Sequence, residues 1–136
     1  MATIKRFEDL EIWIEARRLF KEIIIISKNS DLKNDFKLNA QIKSASGSVM
    51  DNIAEGFERD SDKEFSHFLS IAKGSCGEVR SLLYASLDQN YINQVEFQKF
   101  YTSTVEIMKM ISGLMRYMKN SDFLGKKYKK DSGLET

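Results

Sequence analysis

The segment Asn52-Ile53-Ala54-Glu55-Gly56-Phe57-Glu58-Arg59, followed almost directly by Ser61-Asp62-Lys63-Glu64-Phe65, reads as one helix ending and another beginning. Gly56 stands where a helix can end on a left-handed residue, a conformation that glycine adopts without a Cβ penalty. Ser61 and Glu64 have the spacing of a capping box, in which each side chain satisfies an orphan amide at the start of the next helix. A chain that stops and restarts a helix within so few residues folds back on itself. A helical hairpin is therefore the predicted organising unit.

Little else interrupts the chain: it has no proline and only seven glycines in 136 residues, which favours long helices over many short strands. Asp9 is expected to cap a first helix reaching about Lys28, with Ile12, Ala16, Leu19, Ile23 and Ile26 on one stripe and Trp13, Phe20 and Ile24 beside it. The isoleucine run at 23–26 has strand propensity, but the helical stripe continues through it. A second helix is predicted over about 32–55, with Phe36 or Leu38, Ile42, Ala45, Val49 and Ile53 inward. A third, over about 62–89, carries Phe65, Phe68, Ala72, Ser75, Val79, Leu82 and Ser86 in an unbroken three-four rhythm.

The fourth helix starts at Asn93, with Glu96 completing another capping-box pattern. Phe97, Tyr101, Thr104, Met108, Ile111, Met115 and Met118 form one stripe along it, and Phe100, Ile107, Met110, Leu114 and Tyr117 a neighbouring one. Small residues at 44–48 and 72–77 predict tight packing between helices two and three, with Gly47, Gly74 and Gly77 marking close helix approach. The predicted fold is all-α: an up-down-up-down antiparallel four-helix bundle over 1–120, followed by a basic tail at 121–136 that frays.

Helices one and four each carry two adjacent apolar stripes, more than a solitary bundle hides, so self-association is expected. Net charge is only +1, so no global field selects a nucleic-acid or membrane partner. A lone cysteine, the absence of an apolar signal segment and the shortness of every apolar run point to a soluble cytoplasmic protein.

Catalytic chemistry finds few residues to work with. Glu64 and His67 have the Glu-x-x-His spacing of carboxylate-bridged metal sites, but such a centre needs two such pairs and this chain has one histidine. Cys76 and Ser75 lack a base held by a third group, and Cys76 in a small-residue patch reads as a packing residue. No enzyme activity, metal or cofactor is predicted. Asn52, Glu55 and Arg59 could hold a ligand, but together with Gly56 their residue types better suit fixing the hairpin, with Asn52 and Glu55 on turn amides and Arg59 on a carboxylate. Binding chemistry is left to basic residues: Arg17, Arg18 and Lys21 on helix one, and Lys126, Lys127, Lys129 and Lys130 around Tyr128 in the tail. Repeated around an oligomer, these could contact the phosphates of RNA or DNA; their alternative is a solvated face interrupted by Glu15, Glu22 and Asp131.

Three ordered motifs carry a family resemblance: residues 7–13 (Phe-Glu-Asp-Leu-Glu-Ile-Trp), 52–57 (Asn-Ile-Ala-Glu-Gly-Phe) and 68–75 (Phe-Leu-Ser-Ile-Ala-Lys-Gly-Ser). They closely resemble the bacterial four-helix-bundle proteins of the 23S rRNA intervening-sequence family, also labelled S23 ribosomal protein. The resemblance implies a helical bundle that assembles as a homopentameric ring. Some such proteins are encoded within insertions in the 23S rRNA gene, and the similar accessory variability proteins of diversity-generating retroelements bind nucleic acid and a reverse transcriptase. A proline that often precedes the Asn-Ile-Ala-Glu-Gly motif is replaced here by Met50 or Asp51, and another between helices one and two is missing. The function expected is that of a non-enzymatic oligomer binding structured RNA or a nucleic-acid enzyme; the alternative is a protein-binding adaptor with no nucleic-acid role.

Overall fold

A computed structural model describes residues 3–120 and 122–125. Four long helices dominate it: α1 over Glu11–Asn29, α2 over Phe36–Phe57, α3 over Asp62–Asp88 and α4 over Gln94–Lys119. No strand occurs among the described residues, and the isoleucine run at 23–26 lies inside α1. α1 and α3 each pack against both α2 and α4, closing a four-helix bundle around one core. No helix among the described residues is long and apolar enough to cross a membrane.

Two helix starts differ from expectation. Asp9 closes a short 3-10 turn over Phe7–Asp9, and α1 begins after Leu10, which offers no side-chain cap. The second helix does not begin near residue 32. Asp31–Asn34 form a separate 3-10 turn capped by the Ser30 hydroxyl, and Asp35 then caps α2 by accepting from the Leu38 amide at 3.1 Å. Serine and aspartate each prefer the cap to the helix interior, and two of them five residues apart split one predicted helix into a turn and a helix. This junction is tied down from both sides. Asn39 Nδ2 donates to the Ser27 carbonyl at the end of α1, and the Tyr91 hydroxyl donates to Asp35 Oδ2 from the α3–α4 connection.

At the hairpin, the role expected of Gly56 is corrected. It lies inside α2, which continues to Phe57, and Glu58 closes the helix in ordinary right-handed geometry; no described glycine has positive φ. Space is what glycine provides here. A Cβ at Gly56 would stand 2.6 Å from Phe68 Cβ, 2.9 Å from Phe65 Cδ1 and 3.3 Å from the Phe65 carbonyl oxygen. Only a residue without a side chain lets α2 and α3 approach this closely. Ser61 caps α3 as expected, accepting from the Glu64 amide at 3.2 Å, while the Glu64 carboxylate takes the Ser61 hydroxyl rather than a backbone amide. Asn93 and Glu96 form the full reciprocal box at α4.

The small-residue patches do meet: Ser48 Oγ and Ser75 Oγ are 2.9 Å apart between α2 and α3. Gly47, however, faces the Phe20 ring of α1 rather than a backbone, with a Cβ there falling 3.2 Å from Phe20 Cε1. Gly74 and Gly77 do not mark close packing. A Cβ at Gly74 would meet nothing within 4 Å, and one at Gly77 would meet only Arg80 Nη2 at 3.8 Å. In α3 the buried line runs through Phe65, Leu69, Ala72, Cys76, Val79 and Leu83, so Phe68 and Leu82 are only half-buried. In α4 the two stripes merge, with Phe97, Phe100, Thr104, Ile107, Ile111 and Met118 buried. Leu38, not Phe36, enters the core; Phe36 is 82% exposed.

Four residues beyond α4, 122–125, lie against the bundle. Asp62 at the start of α3 accepts the Phe123 and Leu124 amides on its two carboxylate oxygens, each at 2.8 Å. Leu124 is fully buried, and Phe123 packs among Phe57, Phe65 and Tyr117. The segment thus closes over the α2–α3 hairpin.

Candidate functional site

The hairpin residues form a local scaffold. Asn52 Nδ2 donates to the Ser48 carbonyl at 2.8 Å and to Ser48 Oγ at 2.9 Å, joining the Ser48–Ser75 contact between α2 and α3. Asn52 therefore braces the helix pair rather than a turn amide. Arg59 Nη2 lies 3.0 Å from Glu55 Oε1, and its guanidinium sits 4.7 Å above the Phe68 ring, which packs over Gly56. Cation, carboxylate and aromatic ring are all used in holding the turn.

Cys76 is buried, and burial pushes its thiol up to about 12 against the opposing effect of the Arg80 charge. It stays protonated at neutral pH and behaves as a small apolar group, as the sequence predicts. His67 is exposed on α3 with its ring edge on Phe68. Among the described residues, no three His, Cys, Asp or Glu side chains gather in a way that could hold a metal ion.

Arg17, Arg18 and Lys21 do share one face of α1, around a shallow open depression that also includes Ile14, Glu22 and Ile25. Much of its charge is already engaged. Arg18 Nη1 bonds both Glu15 oxygens at 2.8 and 2.9 Å, the Arg17 guanidinium lies 5.7 Å from the Trp13 ring centre, and Glu22 pairs with Lys99 of α4 at 3.3 Å. The tail lysines Lys126, Lys127, Lys129 and Lys130 lie outside the described residues.

The groove between α3 and α4 carries a second cationic surface that no run of neighbouring basic residues announces. Lys73 and Arg80 from α3 and Lys109 and Arg116 from α4 line a trough of about 300 Å³ with Val105, Met108 and Ser112, and no carboxylate. None of the four cations forms an ion pair with another described residue. Like charges about 10 Å apart in water repel by only roughly 0.4 kcal/mol, so the bundle tolerates the cluster. The signal available in the sequence was a seven-residue interval, Lys73 to Arg80 and Lys109 to Arg116, which puts each pair on one helical face about 10.5 Å apart.

Fold and surfaces together define a small four-helix-bundle protein with open basic faces and a buried, unreactive cysteine. The chain matches the family described as 23S rRNA-intervening sequence protein over residues 8–113, and it belongs to that family. Its fold is similar to the crystal structure of a protein of unknown function from the S23 ribosomal protein family of Bacteroides thetaiotaomicron. The two are 21% identical with a TM-score of 0.70, over 76% of this chain and 97% of that one. Comparison with curated proteins gives no match.

Proposed function

We propose that this protein is a non-enzymatic cytoplasmic scaffold, an up-down-up-down antiparallel bundle assembled as a homopentameric ring, that presents basic faces to structured RNA. The observation that carries the reading is the pairing of apolar and basic surface on the bundle's outside. Ile14 and Ile25 are 41% and 57% exposed beside Arg17, Arg18 and Lys21, and Phe36 and Val95 are 82% and 79% exposed. Large apolar side chains left open in one copy favour burial between copies at about 25 cal/mol per Å². Assembly then multiplies each basic face, turning weak phosphate contacts into multivalent ones. The tie to 23S rRNA in the family's description agrees with an RNA partner. The short links between α2 and α3 and between α3 and α4, together with the Tyr91–Asp35 contact, support antiparallel neighbours.

The test is a salt titration of binding to structured RNA. Association is expected at about 50 mM salt and should weaken steeply by about 200 mM. Absence of binding at the lower salt removes the nucleic-acid role and leaves a protein-binding adaptor.

A further inference from the structure

The walls of the α3–α4 trough match one another. On α3, Lys73 and Arg80 line the trough, and Gly77 between them and Tyr84 one turn beyond share their face by spacings of four, three and four; on α4, Val105, Met108, Lys109, Ser112 and Arg116 line it, and Tyr101 lies one turn before Val105 on the same face. Each wall therefore carries two cations two turns apart. Gly77 stands between them on α3 and Ser112 on α4. A Cβ at Gly77 would meet only the far end of Arg80, so no packing neighbour demands a glycine there. A mid-helix glycine is unfavourable, and here it leaves no side chain between the two cations of α3.

Beyond Arg80 the α3 wall ends on an aromatic platform. Tyr84 is 51% exposed, with its ring 4.7 Å from Phe97 and 6.3 Å from Tyr101, and the Arg80 guanidinium lies 5.9 Å from the Tyr101 ring. A cation-lined channel ending in an exposed aromatic is the arrangement that tracks a sugar-phosphate backbone and stacks a base. We propose that the α3–α4 trough binds single-stranded nucleic acid, seating phosphates among Lys73, Arg80, Lys109 and Arg116 and one base on Tyr84. The proposal rests on the nucleic-acid reading above and narrows it to the unpaired segments of a structured RNA and to one site. A duplex fits poorly. The trough lies between two adjacent helices whose axes are about 8–10 Å apart, enough for one backbone, and a paired base has no free face for Tyr84. An acidic peptide would satisfy the cations but leave the platform unused.

The full-length chain can be tested by fluorescence anisotropy with a labelled oligouridylate of about 15 nucleotides, against a duplex of equal length and an oligoglutamate as competitors. The single strand should bind more tightly than the duplex. Lys73→Gln with Lys109→Gln should lower the slope of log affinity against log salt by about 1.4, and Tyr84→Ala should weaken binding about 10-fold with the slope unchanged. Lys37→Gln with Lys63→Gln, exposed cations outside both basic faces, should change neither. If the wild type binds but the Lys73 and Lys109 substitutions leave the slope intact, the trough is the wrong site while the nucleic-acid reading stands. If no nucleic acid binds at about 50 mM salt, both fall. Equal affinity for duplex overturns the strand assignment, and displacement by oligoglutamate at matched ionic strength overturns the nucleic-acid assignment. Trough substitutions that alter the sedimenting mass overturn the proposal in favour of an interface between copies.

Discussion

Replacing Gly56 by alanine tests whether the hairpin is held by close helix approach. The added methyl would stand 2.6 Å from Phe68 Cβ, whereas carbon atoms in contact sit about 3.5–4.0 Å apart. Phe68 Cβ is fixed to its backbone and cannot swing aside, so α2 and α3 must separate by roughly 1 Å or the turn must distort. Overpacking of this kind costs about 1–3 kcal/mol. Helix propensity offsets little of it, because Gly56 is one residue from the end of α2. Unfolding entropies near 2.1 cal/mol/K per residue make each kcal/mol worth about 4 °C for a chain of this size, so Tm should fall by about 4–12 °C in thermal melts followed by circular dichroism. Gly74→Ala supplies the contrast: with open space around it, alanine should stabilise by about 0.5–1 kcal/mol. Gly56→Asn separates the two explanations. A left-handed cap accepts asparagine better than alanine, whereas a crowded site accepts it worse. A Gly56→Asn protein more stable than Gly56→Ala would refute the crowding argument.

Cys76 should resist alkylation at pH 8 in the folded protein and react promptly once unfolded, as followed by mass spectrometry; fast native labelling would contradict its burial. Because the folded thiol ionises near 12 and the unfolded thiol near 9.0, stability linked to it is fully present below pH 9 and declines as pH rises toward 12. The difference in unfolding free energy between wild type and Cys76→Ala should shrink over that window and stay flat below it. Asp62→Ala should release residues 122–125, costing about 1.5–3 kcal/mol for the lost charge-assisted bonds. Hydrogen exchange at the Phe123 and Leu124 amides should then rise, and unchanged protection would show that the segment docks by its apolar side chains alone.

What was legible in the sequence was local or periodic. The Asn93–Glu96 box could be read because both partners lie within one helical turn, and the α1 line through Ile12, Ala16, Leu19 and Ile23 because burial there follows a single stripe. The sequence leaves Gly56 ambiguous because glycine serves both as a left-handed cap and as an absence of side chain, and only the position of Phe65 and Phe68 tells which. The 3-10 turn over Asp31–Asn34 passed as helix because its spacing is close to the helical one, and Ser30 and Asp35 act as two caps in succession. Among basic residues, Arg17, Arg18 and Lys21 are neighbours in the chain, but Glu15 already pairs with Arg18. The trough escaped because its cations come from positions 73–116 on two helices and converge only when α3 meets α4.

Sedimentation equilibrium of the full chain at low micromolar concentration bears most directly on the claim that open apolar faces are covered by further copies. A stable species of five times 15.7 kDa is expected. A folded species of 15.7 kDa at that concentration would contradict it.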